Sequence, residues 1–352
     1  MLTQHELYMH RCIQLAKLAA GNVAPNPMVG AVLVYENRII GEGYHKKYGE
    51  AHAEVNCINS VNDADKHLIG NSTLYVSLEP CAHFGKTPPC SNLIISQKIP
   101  KIFVGSIDPF KEVDGKGIQR LKSAGVEVIS GILEKECKEL NKRFFNFHLH
   151  HKPYIILKWA QTADNKISDN PNKRLIISNE FTNRLVHKWR SEETGILVGT
   201  NTIIADDALL TNRLWSGKNR VRFVIDKDLK LAKTYKVFNN DAPTIIFNLL
   251  KNNIEKETIL ENQVYYYKID KDRKLTDEIC DACYNLNIQS ILVEGGAKLL
   301  QSFIDDKIYN EIIMITNTEM KIGNGLQAPE LNGLQKIVCS QMIRKDKIEF
   351  FL

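Results

Sequence analysis

Three short blocks of this chain restrict its fold more than any other feature. They are "HAE" at 52–54, "PC" at 80–81, and Cys90, which closes the stretch "EPCAHFGKTPPC". Together they supply an imidazole, a carboxylate and two thiols, and these act jointly only if the fold brings them to one point. Two thiols in a proline-rich stretch can form a disulfide, ligate a metal, or be two buried cysteines. No basic region followed by an apolar run opens the chain, so no secretory signal is expected, and no apolar run approaches the ~20 residues that span a bilayer. The expectation is a cytoplasmic protein, a setting in which stable disulfides are unusual. A disulfide would also leave His52 and Glu54 unexplained. His52, Cys81 and Cys90 form a soft three-donor set that suits tetrahedral zinc, one ion per chain, with a fourth position for water. His83 is the alternative to one of the cysteines. Glu54 stands two residues past His52 at the start of a predicted helix, where it can lie over the metal without binding it and move protons. Pro80 ends a strand, so Cys81 is expected to begin a turn or helix whose amide dipoles favour thiolate.

With 352 residues, two domains are favoured over one at roughly 100–200 residues each. "TQHE" at 3–6 has capping-box spacing, and Tyr8, Cys12, Leu15 and Ala19 follow at helical intervals. Strands are predicted at "VGAVLVY", "STLYVSLEP", "KIFVGSID" and "VEVISGI", with helices between them. This alternation predicts an α/β fold, a mostly parallel sheet in a three-layer sandwich. A boundary is placed in the polar tail of "NKRFFNFHLHHKP", giving domains 1–147 and 148–352. A second alternating series then runs from "YIILKWA" through "GILVGT", "RVRFVID", "PTIIF" and "SILVEGG" to "EIIMITN". "CDAC" at 280–283 is a lone C-x-x-C in a helical pattern and is read as ordinary thiols.

The order H-x-E, then P-C, then a further cysteine is that of zinc-dependent base deaminases, although here eight residues separate the cysteines instead of two. "APNPMVGAV" (24–32), "GEGYHKKYGEAHAE" (41–54) and "LEPCAHFGKTPPC" (78–90) extend the match. On these motifs the chain resembles the bifunctional riboflavin-biosynthesis deaminase/reductase family, whose own pattern has the eight-residue gap. The resemblance implies a cytidine-deaminase-like N-terminal domain and a dihydrofolate-reductase-like α/β C-terminal domain. The implied substrate is a 2,5-diaminopyrimidinone carrying a ribosylamino 5′-phosphate, deaminated by activated water with Glu54 as the proton carrier. Asn26, in the "PNP" turn, is the implied donor to the pyrimidine. His45, Lys86 and Thr87 are implied substrate contacts, the last two on its phosphate.

In the second half no G-x-G-x-x-G opens a helix after a strand, which disfavours an ordinary Rossmann dinucleotide domain. "ILVEGGAKLL" (291–300) instead leads from a strand carrying Glu294 into Gly295 and Gly296 and a helix start, where amides can hold a phosphate. "KWAQTADNKIS" stands where the family has a Ser-x-Asp-Gly turn; Asn165 replaces the glycine, and asparagine tolerates the left-handed conformation that such a turn needs. By resemblance, Ala160, Thr202, Asp206 and the run Gly296, Ala297, Lys298, Leu299, Leu300, Gln301 and Ser302 are expected to touch NADPH. Arg190, Leu210, Arg213 and Glu294 are expected to touch the substrate, the arginines because their planar fork suits phosphate. "KRLIIS" departs from the family, with Arg174 and Ile176 where a serine and a tryptophan are usual. The implied reaction is hydride transfer from the nicotinamide to C1′ of the opened ribosyl group, giving a ribityl chain.

The net charge of +5 is spread along the chain, without the clustered basic stripe of a nucleic-acid binder. The expected partner is a small phosphorylated pyrimidine, with no nucleic acid and no membrane; homo-oligomerisation is left open. Two other readings stand beside this one. A monofunctional pyrimidine deaminase with a ligand-binding second domain is supported by the departures at 174 and 176. A zinc-stabilised RNA-binding protein would require a filled zinc shell and a basic face.

Overall fold

The computed structural model describes residues 2–82, 88–110, 113–170, 173–331, 333 and 335–352. It divides into two compact units, Met1–His151 and Lys152–Leu352.

The first unit contains α1 (Gln4–Lys17), β1 (Gly30–Tyr35), β2 (Arg38–Tyr44), α2 (Ala53–Asn59), β3 (Thr73–Leu78), α3 (Cys90–Ser96), β4 (Lys101–Ser106), α4 (Lys116–Ser123), β5 (Glu127–Ser130), α5 (Glu134–Leu140) and α6 (Lys142–His150). The capping box forms as its spacing predicts: the Glu6 amide donates to Thr3 Oγ1, and the Thr3 amide donates to Glu6 Oε2. The sheet order is β2-β1-β3-β4-β5. Strands β3, β4 and β5 run parallel, whereas β1 is antiparallel to both of its neighbours. The mixed sheet arises because Glu36 and Asn37 both take positive φ, 43° and 67°, and fold β2 back onto β1. Such a two-residue turn usually announces itself by glycine, which is absent here.

Alternate strand residues face opposite sides of the sheet. Leu33, Val76 and Val104 pack with Cys57, Ile94 and Leu121 of α2, α3 and α4. Val32, Tyr75 and Phe103 pack with Met9, Cys12 and Cys137 of α1 and α5 on the other side. The result is a three-layer sandwich. Strand β2 lies so close to α2 that a Cβ at Gly43 would sit 2.2 Å from the Cys57 amide nitrogen. Any larger residue there would displace α2, and with it His52 and Glu54.

The boundary expected at 147/148 falls inside α6. His148, which reads as part of a polar linker, packs between Phe110 and Phe144 with ring centroids 5.0 and 4.4 Å away. Helix α6 therefore stays amphipathic to its end.

The second unit contains β6 (Tyr154–Thr162), β7 (Lys166–Ser168), α7 (Glu180–Glu192), β8 (Gly195–Gly199), α8 (Thr200–Asp206), β9 (Val221–Ile225), β10 (Thr244–Asn248), β11 (Val264–Lys268), α9 (Leu275–Asn285), β12 (Ser290–Gly295), α10 (Ala297–Asp305), β13 (Glu311–Asn317), β14 (Leu326–Gln327), β15 (Ile337–Ile343) and β16 (Asp346–Phe351). Nine of these strands form one sheet in the order β11-β10-β9-β8-β12-β6-β13-β16-β15. The run from β11 to β13 is parallel, and β16 and β15 add an antiparallel edge. Helices α9 and α10 cover one face through Ile279, Cys283, Leu300 and Phe303. Helices α7 and α8 cover the other through Val186 and Ile203. Both cysteines of "CDAC" are buried thiols on α9. Asn165 takes φ 58° in the turn after β6, and its Oδ1 accepts from Gln161 Nε2 at 2.9 Å. The left-handed turn thus forms without a glycine. Among the described residues no helix is long and apolar enough to cross a membrane.

Candidate functional sites

In the first unit the chain brings His52, Cys81 and Cys90 together. His52 is the residue before α2, and its Nδ1 lies 3.3 Å from Cys90 Sγ and 3.7 Å from Cys81 Sγ. All three donor atoms lie within 4.8 Å of one another. An imidazole and two sulfurs at this spacing fit zinc with a fourth position to spare. Of the turn or helix expected at Cys81, no helix begins there. Cys81 lies in the loop after β3, and the helix opens at Cys90, whose amide donates to Cys81 Sγ at 3.3 Å. The thiolate is favoured at Cys81. The Cys90 thiol, then His52 and the Cys90 amide, hold Cys81 well below the usual thiol range against burial, while Cys81 and burial push Cys90 up.

Glu79 is a residue that sequence reasoning missed. Its Oε2 accepts from the amides of Asp108 (3.3 Å) and Gly115 (3.0 Å), and its Oε1 from those of Gly117 (2.9 Å) and Ile118 (3.2 Å). These bonds tie the end of β3 to the start of α4 and so place Pro80 and Cys81. Gly117 is required there, because a Cβ would sit 1.9 Å from the Pro80 carbonyl oxygen. The only hint in the sequence is a carboxylate directly before "PC" at a strand end.

Glu54, 3% exposed, lies in the first turn of α2 and hydrogen-bonds with Cys90. Burial raises its pKa above the usual carboxylate range, and His52 pulls the other way. A carboxyl so placed can both accept and return a proton. His45 Nδ1 donates to the Ala51 carbonyl at 3.1 Å, which leaves Nε2 to accept from Asn26 Nδ2, also at 3.1 Å. Burial lowers the His45 pKa, and its ring stands edge-on to His52 at 5.3 Å. Lys86, Thr87 and the alternative ligand His83 lie outside the described residues. Cys90→Ser is expected to lose most of one bound zinc per chain, while Glu54→Gln keeps it; metal analysis of the two purified variants checks this.

The second unit holds a cavity of roughly 500 Å³ at the C-terminal ends of β6, β8 and β12, where open α/β sheets hold ligands. Its floor is an ion cluster. Arg190 donates from Nε and Nη2 to the two Glu294 oxygens at 2.5 and 2.6 Å, and Lys158 Nζ lies 3.6 Å from the same carboxylate. Burial opposes the charge on Glu294, but Arg190 and Lys158 hold its pKa down to about 2. Burial lowers Lys158 in turn. His187 accepts from the Arg213 amide at 2.9 Å through Nδ1, and burial with the adjacent arginines pushes it down to about 4, so it is neutral.

Residues 2–106 match the model for the cytidine and deoxycytidylate deaminase zinc-binding region, and residues 153–344 match that for the RibD C-terminal domain. The chain belongs to the RibD family. It is 38% identical to riboflavin biosynthesis protein RibD of Aquifex aeolicus, over 97% of this chain and 94% of that protein. It is also similar to a crystal structure of a diaminohydroxyphosphoribosylaminopyrimidine deaminase/5-amino-6-(5-phosphoribosylamino)uracil reductase from Thermotoga maritima (34% identity, TM-score 0.86, 99% of this chain and 98% of that one). Acinetobacter baumannii RibD aligns at 27% identity and TM-score 0.87, over 99% and 98% of the two chains. The chain is thus a riboflavin-biosynthesis enzyme, with a cytidine-deaminase-like zinc-binding unit followed by a dihydrofolate-reductase-like unit.

Ala160, Thr202, Asp206, Gly296 and Leu300 line the cavity of the second unit, as do Arg190, Leu210, Arg213 and Glu294. Ala297, Lys298, Leu299, Gln301 and Ser302 are not among its lining residues. The reason is periodic: 297–305 is a helix, so successive side chains point around its axis. Leu299 enters the core, Gln301 accepts from the Glu330 amide, and Ser302 Oγ donates to the Lys298 carbonyl. The Gly296 amide donates to Thr202 Oγ1 at 2.9 Å. Lys158 and His187, on which no expectation rested, line the cavity too.

Proposed function

We propose that the first unit hydrolyses the ring C–NH2 bond of 2,5-diamino-6-(5-phosphoribosylamino)pyrimidin-4-one, and that the second reduces the ribosyl group of the product to ribityl with NADPH. The names of the similar proteins support these substrates, and the two sites have the matching chemistry. The observation that carries the reading is Glu54, a buried carboxyl hydrogen-bonded to one cysteine of a three-donor soft cluster.

His52, Cys81 and Cys90 hold the zinc, which when bound supplies the Lewis acidity that makes water nucleophilic at neutral pH. Glu54 takes the proton from the attacking water and returns it to the ring nitrogen and the departing ammonia. Asn26, steadied by His45, donates to the pyrimidine. NADPH, when bound, supplies the hydride. Thr202, Asp206 and the turn at Gly296 border its place, and Lys158 with Glu294 presents a fixed charge pair to the substrate. Arg213 takes the substrate phosphate. Arg190 has its Nε and Nη2 committed to Glu294, so its part in that recognition is to hold the carboxylate.

Ammonia release and NADPH oxidation, each assayed on its own substrate, test the proposal. The expected result is ammonia from the diaminopyrimidinone without any cofactor, and oxidation of NADPH, in preference to NADH, only with the deaminated compound. Ammonia release with no NADPH oxidation would favour a monofunctional deaminase with a ligand-binding second unit.

A further inference from the structure

Residues 18–29, which join α1 to β1, form neither helix nor strand, yet they carry Asn26. Such a segment keeps a side chain in one place only if its backbone is bonded to something rigid. His45 supplies part of this: its amide donates to the Val29 carbonyl at 3.0 Å, and its Nε2 accepts from Asn26 Nδ2. Met28 lies between those two points, and its peptide groups are taken by Asn141. The Met28 amide donates to Asn141 Oδ1, and Asn141 Nδ2 donates to the Met28 carbonyl, both at 2.8 Å and across 113 positions of sequence. A primary amide presents an acceptor and a donor side by side, so it pairs with one residue's N–H and C=O much as a neighbouring strand would. Asn141 itself is buried and stands where α5 ends and α6 begins. Its amide donates to the Lys138 carbonyl at 3.1 Å, and its carbonyl accepts from the Phe145 amide at 3.0 Å, so its backbone is fixed by both helices. Asparagine at the start of a helix ordinarily turns its side chain onto that helix's own first amides. Here the side chain makes no such bond with α6 and is committed to Met28. A local contribution to the helix is thus given up for a contact that the helix does not need.

We infer that Asn141 is a positioning residue for deamination: its side-chain amide holds Met28 and thereby fixes Asn26, two residues away, where it meets the pyrimidine. The inference rests on the reading of Asn26 as the donor to that ring. With Met28 held by Asn141 and Val29 by His45, the backbone that carries Asn26 is tied to α5 and α6 on one side and to the end of β2 on the other. Asn26 then keeps its bond to His45 and the direction of its amide together. Without Asn141 the Met28 peptide groups lose these partners, and a shift of about 1 Å in a substrate-positioning group is enough to cost much of its effect.

The test uses the full-length zinc-loaded chain as wild type, Asn26→Ala, Asn141→Ala and the double variant, with ammonia release from the diaminopyrimidinone as the assay. Asn26→Ala is expected to lower kcat/KM by roughly 10-fold, the effect of one lost hydrogen bond, and Asn141→Ala by about 3- to 10-fold. In the double variant the loss should be no larger than in Asn26→Ala alone, because a residue that acts through another has nothing left to act on. Zinc content, and NADPH oxidation with the deaminated intermediate, should stay those of the wild type. Native-state hydrogen exchange of the Met28 amide should become roughly 10-fold faster or more in Asn141→Ala. Asn141→Gln keeps the amide one methylene further out; it serves if Asn141→Ala does not fold, and its loss should be masked by Asn26→Ala in the same way. Losses that multiply in the double variant mark a general structural role and overturn the proposal. An unchanged kcat/KM in Asn141→Ala, or an unchanged Met28 exchange rate, overturns it as well. If Asn26→Ala itself costs nothing, the reading of Asn26 as the pyrimidine donor fails and the positioning role falls with it.

Discussion

Glu54→Gln is expected to lower ammonia release by on the order of 10²–10⁴-fold, the range of a positioned acid–base group. The substitution keeps the shape of the side chain and its place in the first turn of α2. It removes only the ability to take up and return a proton. Because Glu54 is not one of the three clustered donor atoms, zinc content should remain that of the wild type. The variant should still oxidise NADPH when supplied with the deaminated intermediate, since the second cavity is lined by residues of Lys152–Leu352 alone. Both half-reactions and the metal content need to be measured on one preparation. A folded, zinc-replete Glu54→Gln that deaminates at more than a tenth of the wild-type rate would refute the assigned role.

Glu294→Gln should have the larger effect on stability. The side chains of Arg190, Glu294 and Lys158 are 14%, 6% and 12% exposed. The substitution leaves two cations in the cavity floor with no carboxylate. Removing one partner of a buried ion pair costs about 3–5 kcal/mol, which for a unit of this size corresponds to a fall in Tm of roughly 6–20 °C. Lys158 can shed its proton to limit that cost, as burial already lowers its pKa. The pH dependence follows from the sign of the shift. The pKa of Glu294 drops from its ordinary 4.5 to about 2 on folding, so its contribution is present above about pH 4.5 and is lost as pH falls toward 2. Calorimetry of both variants should show the second unit melting earlier in Glu294→Gln and the first unit unmoved. NADPH oxidation should fall with it. An unchanged melting profile would mean that the cluster does not stabilise the fold.

The candidate donor set, with His83 as the alternative to one cysteine, was legible in the sequence because its chemistry is local and its spacing unusual. No other arrangement of "HAE", "PC" and Cys90 uses all four groups, and the predicted helix start after a strand already places His52 and Glu54 side by side. Strand and helix alternation was legible for the same kind of reason: burial of one face imposes a period on the residues themselves. The β1–β2 hairpin was hidden because its turn uses Glu36 and Asn37, neither of them a glycine. The end of α6 was hidden because a histidine packed between two phenylalanine rings looks in sequence like one exposed to water.

What the sequence by itself determined, then, is which residues could ligate, carry a proton or bear charge, and the two-unit plan that separates them. Only the tertiary structure decided their partners. It placed the amide of Cys90 on the sulfur of Cys81, gave Glu79 four amides between the end of β4 and the first turn of α4, and closed Arg190 onto Glu294, 104 positions away. It also brought in Lys158, which in "YIILKWA" reads as one cation in a run of apolar residues. The reason is that a charge or a hydrogen-bonding group acts over a few ångströms of space, and residues that far apart in sequence acquire such distances only when the sheet, its helices and its turns are assembled.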